Sequence, residues 1–129
     1  MAGRLLLDTS AIVELLRGEA GPGLRLDPAD TVFVPVIAIG ELLAGALRSE
    51  RRDDNVAQVE RIASGANVIS CDAHTAREYA SIRHQLRLKG RPIPENDMWI
   101  AATARQHGLT LVAGVAHFQQ IDGLSVLPR

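Results

Sequence analysis

The sequence predicts an α/β sandwich in three layers: a mostly parallel sheet of four to five strands with helices on both faces. Three observations predict it. Short apolar runs alternate with longer segments of helical periodicity, which implies βαβ crossovers and a parallel sheet. An acid follows directly on the first strand-like run, and the carboxyl edge of an open parallel sheet is where such folds place their sites. Finally, 129 residues, 47% hydrophobic and 22% charged, suit one domain over residues 1–129 with a core adequate for independent folding.

The first element is the run RLLL, residues 4–7, a buried strand closed by Asp8. Thr9 and Ser10 can each cap a helix over residues 11–17, which Gly18 helps to end. Turn chemistry from Gly21-Pro22-Gly23 to Pro28 leads into a second strand at residues 31–34, closed by Pro35. A helix beginning nearby carries Ile39, Glu41, Leu42 and Leu43. Asp53 or Asp54 caps the next helix, which runs to Gly65. Val68 and Ile69 form a third strand. Asp72 opens a long helix with Ala76, Tyr79, Ala80, Ile82 and Leu86 on one side, and Gly90 lies just past its end. Pro92 and Pro94 give a rigid approach to Asn96, the expected N-cap of a helix over residues 97–107. Gly108 ends that helix. Residues 109–112 are a fourth strand, and residues 124–126 a short fifth.

Composition removes several function classes. Net charge is −1, from 14 basic and 15 acidic side chains, which is far from a protein that coats long nucleic acid. A local basic patch still suffices for RNA, and 13 of the 14 basic residues are Arg, which grips phosphate bidentately. With 2 Phe, 1 Trp and 1 Tyr, the chain has too few rings for a single-strand binder built on stacking. One cysteine, Cys71, excludes an internal disulfide framework and a cysteine zinc cage. No apolar stretch approaches the roughly 18 residues a membrane helix needs, and MAGR runs into the first strand without a signal-peptide pattern. The expected location is the cytoplasm.

Three acids occur where burial would ordinarily select something apolar. Asp8 ends the first strand, Glu41 lies within the apolar VIAIGELL, and Asp97 opens the MWIAA helix. Each has a plain structural alternative: Asp8 as a strand-end cap, Glu41 paired with an arginine, Asp97 as a first-turn acid favoured by the helix dipole. An unpaired carboxylate among apolar groups costs several kcal/mol or raises its pKa. Together the three favour a shared cation. Oxygen ligands without an accompanying Cys or His pair suit a hard ion, Mg²⁺ or Mn²⁺, which can activate a water for attack on a phosphodiester.

The segments LLLDTSAIVELL, IAIGELLAGA, IPENDMWIAATARQHGLTLV and HFQQIDGL, in this order and with the three acids 33 and 56 residues apart, resemble a PIN-domain ribonuclease. They are most similar to the VapC toxins of bacterial type II toxin–antitoxin modules, and the resemblance covers essentially the whole chain. It implies a PIN-like fold. It also implies that Asp8, Glu41 and Asp97 gather at the carboxyl edge, bind Mg²⁺ or Mn²⁺, and hydrolyse RNA with a metal-activated water and no covalent enzyme intermediate. Thr9 or Ser10 matches the family hydroxyl beside the first acid, where it orients a ligand. Asn96 matches the residue before the third acid, a position that helix capping explains as readily. The partners implied are RNA, a VapB-like antitoxin and a second copy of the chain. The apolar helices carrying Leu15, Leu16, Leu42 and Leu47 would face those partners.

One position departs from the family pattern. A fourth acid usually follows the last main strand, whereas here Ala113, Gly114 and Val115 offer no side-chain ligand. The expectation is retained metal binding with reduced turnover. The alternative is a catalytically silent PIN domain acting by antitoxin or RNA binding. A phosphoryl-accepting receiver domain fits poorly, because Asp8 has no acidic neighbour and Lys89 is the only lysine. Arg83, Arg87, Lys89 and Arg91 are read either as cations that offset a helix C-terminus or as phosphate contacts for RNA. Trp99 and Cys71 are expected in the core. His117-Phe118 reads first as a packing and turn element, the alternative being that Asp122 or His117, both downstream, substitutes for the fourth acid.

Overall fold

The computed structural model describes residues 3–17, 26–114 and 116–128. The element order is β1 (Arg4–Leu7), α1 (Thr9–Leu16), β2 (Thr31–Pro35), α2 (Val36–Arg48), α3 (Arg52–Gly65), β3 (Asn67–Ile69), α4 (Ala73–Lys89), α5 (Glu95–His107), β4 (Thr110–Ala113), a 3₁₀ turn (Ala116–Gln120) and β5 (Val126–Pro128). The strands pair in parallel in the order β3-β2-β1-β4-β5. The predicted three-layer α/β/α architecture is therefore present. Gly18 and Gly21 to Gly23, expected to end α1 and to turn, lie outside the described residues.

β1 is central, and its sequence explains why. Alternate side chains of a strand point to opposite faces. Leu6 packs on one side with Ile82 of α4, Ile100 of α5, Leu111 of β4 and Phe118. Leu5 and Leu7 pack on the other with Ile12 of α1, Val34 of β2 and Ala38 of α2. A strand covered on both faces has no polar side, hence the unbroken Leu5-Leu6-Leu7. Among the described residues no helix is long and apolar enough to cross a membrane.

Three helix starts differ from the sequence expectation, each by a few residues. Asp8, not Thr9 or Ser10, caps α1, accepting the Ala11 amide at 2.8 Å. α3 starts behind Arg51, and Asp53 and Asp54 fall inside its first turn, where the dipole favours acids. α5 starts behind Pro94, so Asn96 is an exposed residue of the first turn and not its cap. The reason is local. A proline holds its predecessor extended, and the chain turns helical only once Pro94 itself is passed. The left-handed C-caps predicted at Gly90 and Gly108 are present, with φ of 65° and 63°.

α4 is opened by a capping box in which Asp72 accepts the Thr75 amide and the Thr75 hydroxyl accepts the Asp72 amide. The Thr75 amide, followed by the Gln106 side chain, holds the Asp72 carboxyl below the usual carboxylate range against a smaller opposing effect of burial. A depressed folded pKa contributes stability that is present above the unfolded value and is lost as pH falls through the folded one. The difference in urea midpoint between the wild type and Asp72→Asn should therefore shrink on acidification below the ordinary carboxylate range. A difference that stays constant would remove Asp72 from the acid response.

Candidate active site

Asp8 is 4% exposed at the carboxyl end of β1. Its amide donates to Val112 O of β4 at 3.1 Å, carrying the ladder one residue past the strand. Its carboxylate also accepts the Ser10 hydroxyl, at 3.1 and 3.2 Å from the two oxygens. The capping alternative for Asp8 thus holds, and it fixes the acid at the sheet edge. Ser10 touches this acid directly, as expected of a residue that orients it.

Glu41 projects from the second turn of α2 and accepts the Thr9 hydroxyl at 2.6 Å. A hydroxyl meets Glu41 where an arginine was the plain alternative. Thr9 and Ser10 therefore serve different acids from adjacent positions at the start of α1. Asp97 stands in the first turn of α5 and is partly buried. Its Oδ2 lies 3.0 Å from His117 Nε2.

Electrostatics ties the three acids together. Burial pushes the Asp97 carboxyl above the usual carboxylate range. His117 opposes this by charge and by hydrogen bond, while Glu41 and then Asp8 raise it further as like charges. Acids 33 and 56 residues apart in sequence thus act on one another at one edge of the sheet. They are not closed into a cage, for among the described residues no three His, Cys, Asp or Glu side chains are gathered tightly enough to hold a metal.

The donor set nevertheless fits a hard divalent cation. It consists of carboxylate oxygens at a half-buried edge where negative charge is already disfavoured, as the upward shift of Asp97 records. Mg²⁺ is commonly held by only one or two carboxylates and keeps several waters, so an open set suits it better than a closed one. Asp8, Glu41 and Asp97 are the acids among which the one or two that would hold it are found. Asn96, next to Asp97, is exposed.

The basic cluster divides. Arg83 binds Glu95 at 2.8 Å and the Tyr79 hydroxyl at 2.9 Å, and Tyr79 also donates to Glu95. Lys89 binds Asp122 at 2.9 Å and Gln120 O at 2.8 Å. Arg87 and Arg91 are exposed. Arg83 and Arg87 line a cleft of about 340 Å³ together with Leu86, Gly90, Pro92 and Met98, the last being the residue after Asp97. A larger cleft, about 510 Å³, opens on the Glu41 side between α1, α2 and α3, with Thr9, Arg17, Asn55 and Gln58 in its wall.

Sequence reasoning gives one residue of this edge too little weight. It favours His117 as a turn and packing element and does not foresee its bond to Asp97. Its ring does meet Phe118, at 4.8 Å and 57°, but its Nε2 reaches Asp97. The available signal was that His117 carries the first polar side chain after β4. Trp99, expected in the core, is half-buried and stacks on Tyr79 at 4.0 Å. Burial raises the pKa of the half-buried Cys71 thiol. Val115, at the place of the missing fourth acid, lies outside the described residues.

A family profile described as PIN domain matches residues 5–124. The chain is 31% identical over 127 residues to Ribonuclease VapC1 of Rickettsia felis, covering 95% of this chain and 94% of that protein. It is 34% identical over 89 residues to the tRNA(fMet)-specific endonuclease VapC of Shigella flexneri, covering 68% and 67%. The solved structure of VapBC-5 from Mycobacterium tuberculosis, a member of the VapBC family of toxin–antitoxin systems, superposes with a TM-score of 0.79 at 26% identity, covering 98% of this chain and 99% of that one. A parallel β3-β2-β1-β4-β5 sheet, acids at its carboxyl edge and a family match over residues 5–124 lead to one statement: the chain belongs to the PIN domain family, with VapC ribonucleases among its relatives.

Proposed function

We infer that this chain is the toxin of a type II toxin–antitoxin module, an endoribonuclease that hydrolyses phosphodiester bonds of RNA with a divalent cation, Mg²⁺ or Mn²⁺. The observation that carries this reading is the placement of three acids at one edge: Asp8 is buried behind β1, Glu41 accepts the hydroxyl of the adjacent Thr9, and the Asp97 carboxyl is raised in part by the charges of both. The ribonuclease and tRNA endonuclease names of the relatives support RNA as the substrate. When bound, the cation supplies the charge that activates a water and offsets charge developing on the phosphate. The chain's own residues do the rest. Asp8, clamped by the α1 amide and Ser10, and Glu41, held by Thr9, present carboxylate oxygens from two rigid elements, while α5 brings Asp97 to the same edge.

Residues 1–129 form a single PIN domain in this reading, working in the cytoplasm. A VapB-like antitoxin and a second copy of the chain are its protein partners. Leu15 of α1 and Leu47 of α2, 46% and 50% exposed, offer apolar surface for such contacts. The toxin–antitoxin membership of the Mycobacterium structure supports the antitoxin.

Of the four clustered cations, Arg87 and Arg91 are the phosphate contacts, because Arg83 and Lys89 are already paired with Glu95 and Asp122. Each contact to single-stranded nucleic acid contributes about 0.7 to the slope of log K against log salt. The double variant Arg87→Ala, Arg91→Ala should bind RNA more weakly and flatten that slope by roughly 1.4. An unchanged slope would remove both from the interface.

The function itself is tested by inducing the wild type and Asp8→Asn in a bacterial host while following growth and RNA integrity. Growth arrest with discrete RNA cleavage, absent in the variant, is the expected result. Intact RNA and unimpaired growth, with soluble wild-type protein present, would overturn it in favour of a silent domain that only binds.

A further inference from the structure

Among the described residues, His117 reaches the Asp97 carboxylate from outside α5, with Nε2 and Oδ2 3.0 Å apart. An ionised carboxylate has no hydrogen to give, so Nε2 donates. The imidazole is not a loosely tethered side chain. It stands in the 3₁₀ turn Ala116–Gln120, its ring against Phe118, and Phe118 is wholly buried beside Leu6, Ile100 and Leu111. The imidazole is therefore braced against a residue of the core.

Asp97 has reason to need such a hold. Its carboxylate is partly desolvated and faces the like charges of Glu41 and Asp8. Left to itself, a short side chain in that field rotates toward water and away from the other two acids. A hydrogen bond to Oδ2 opposes the rotation and leaves Oδ1 free to turn toward the edge shared with Asp8 and Glu41. Ala113, Gly114 and Val115 bring no polar side chain between β4 and this turn, so His117 is the first residue after β4 able to do this work. It does so without adding a negative charge.

We propose that His117 is a positioning residue for metal binding, fixing Asp97 through one oxygen so that the other serves the cation. With Nε2 carrying the hydrogen and engaged by Asp97, His117 acts through that carboxylate and not as a ligand. Partners of this kind behind a ligand typically contribute 10- to 100-fold in metal affinity. The proposal rests on the reading of Asp97 as a metal-holding residue.

The test is calorimetric Mn²⁺ binding by the full chain, with thermal unfolding recorded alongside, for the wild type, His117→Ala, His117→Gln and Asp97→Asn. His117→Ala should weaken Mn²⁺ binding about 10- to 100-fold. His117→Gln, whose amide nitrogen reaches to about the place of imidazole Nε2 and also donates, should recover most of the loss. Wild-type affinity in His117→Ala, with affinity lost in Asp97→Asn, would overturn the role of His117 and leave the metal site standing. A glutamine variant as weak as the alanine one would overturn it too, because the hydrogen bond would then not be the cause. Unchanged affinity in Asp97→Asn would overturn the metal-site reading itself. Should His117→Ala not fold, His117→Asn carries the same contrast, being polar but too short to reach Oδ2.

Discussion

Asp97→Asn should abolish RNA cleavage while leaving the fold as stable as before or more so. The substitution keeps shape and removes one of three like charges that meet at the sheet edge. Loss of turnover should exceed about 100-fold, the upper end of what partners behind a metal ligand contribute, because Asp97 is assigned to the cation itself. Stability moves the other way, since a desolvated carboxylate facing Glu41 and Asp8 is a burden on the folded state. Asp8 separates the same two effects differently. It is both an acid of the edge and the cap of α1. Asp8→Ala should therefore lose activity and about 1 kcal/mol of stability, whereas Asp8→Asn, which still caps, should lose activity alone. Urea unfolding and an RNA cleavage assay on the three variants read both effects. Equal destabilisation by Asp8→Ala and Asp8→Asn would show that the cap is not what Asp8 contributes to folding.

Phe118→Ala is expected to have the largest effect on stability. Phe118 is fully buried and packs between the central strand and α5, so its removal leaves a cavity that the surrounding Leu6, Ile100 and Leu111 cannot close by small shifts. A substitution of this kind costs about 3–5 kcal/mol, a large share of the roughly 5–15 kcal/mol that holds a domain folded. The same change frees the ring of His117, which rests on Phe118. Mn²⁺ affinity should then fall even in the fraction that remains folded. Phe118→Leu, which keeps much of the volume, should unfold at a midpoint between the wild type and the alanine variant. An unfolding free energy for Phe118→Ala within about 1 kcal/mol of wild type would mean that the turn is not anchored by this ring.

What the sequence made legible follows from how local each determinant is. The strand Leu5-Leu6-Leu7, the acid behind it and the left-handed glycines at 90 and 108 are set by a few adjacent residues, and all stand where periodicity and turn chemistry put them. The three acids were legible for the same reason, since a carboxylate in an apolar run violates a local pattern whatever the fold. Helix starts were less so. At Asp8, Arg51 and Pro94 several neighbouring residues can cap, and tertiary position decides among them. The bonds from Thr9 to Glu41 and from His117 to Asp97 were not legible at all, because they join residues 32 and 20 positions apart across different elements. The same holds for the division of the basic cluster, where Glu95 and Asp122 claim two of four cations.

The central place of β1 also sets when this edge comes into being. The strand at the middle of the sheet precedes the other four in sequence, and its β4 side stays empty until residues 110–113 have been translated. At about 5–20 residues per second, the interval between residue 8 and residue 117 is roughly 5–20 s. For most of it the growing polypeptide carries Asp8, and soon Glu41, without Asp97, and for the last 20 residues it carries Asp97 without His117. In the proposed reading, the edge that would act on RNA is complete only after residue 117 has been made, long after the central strand beside it.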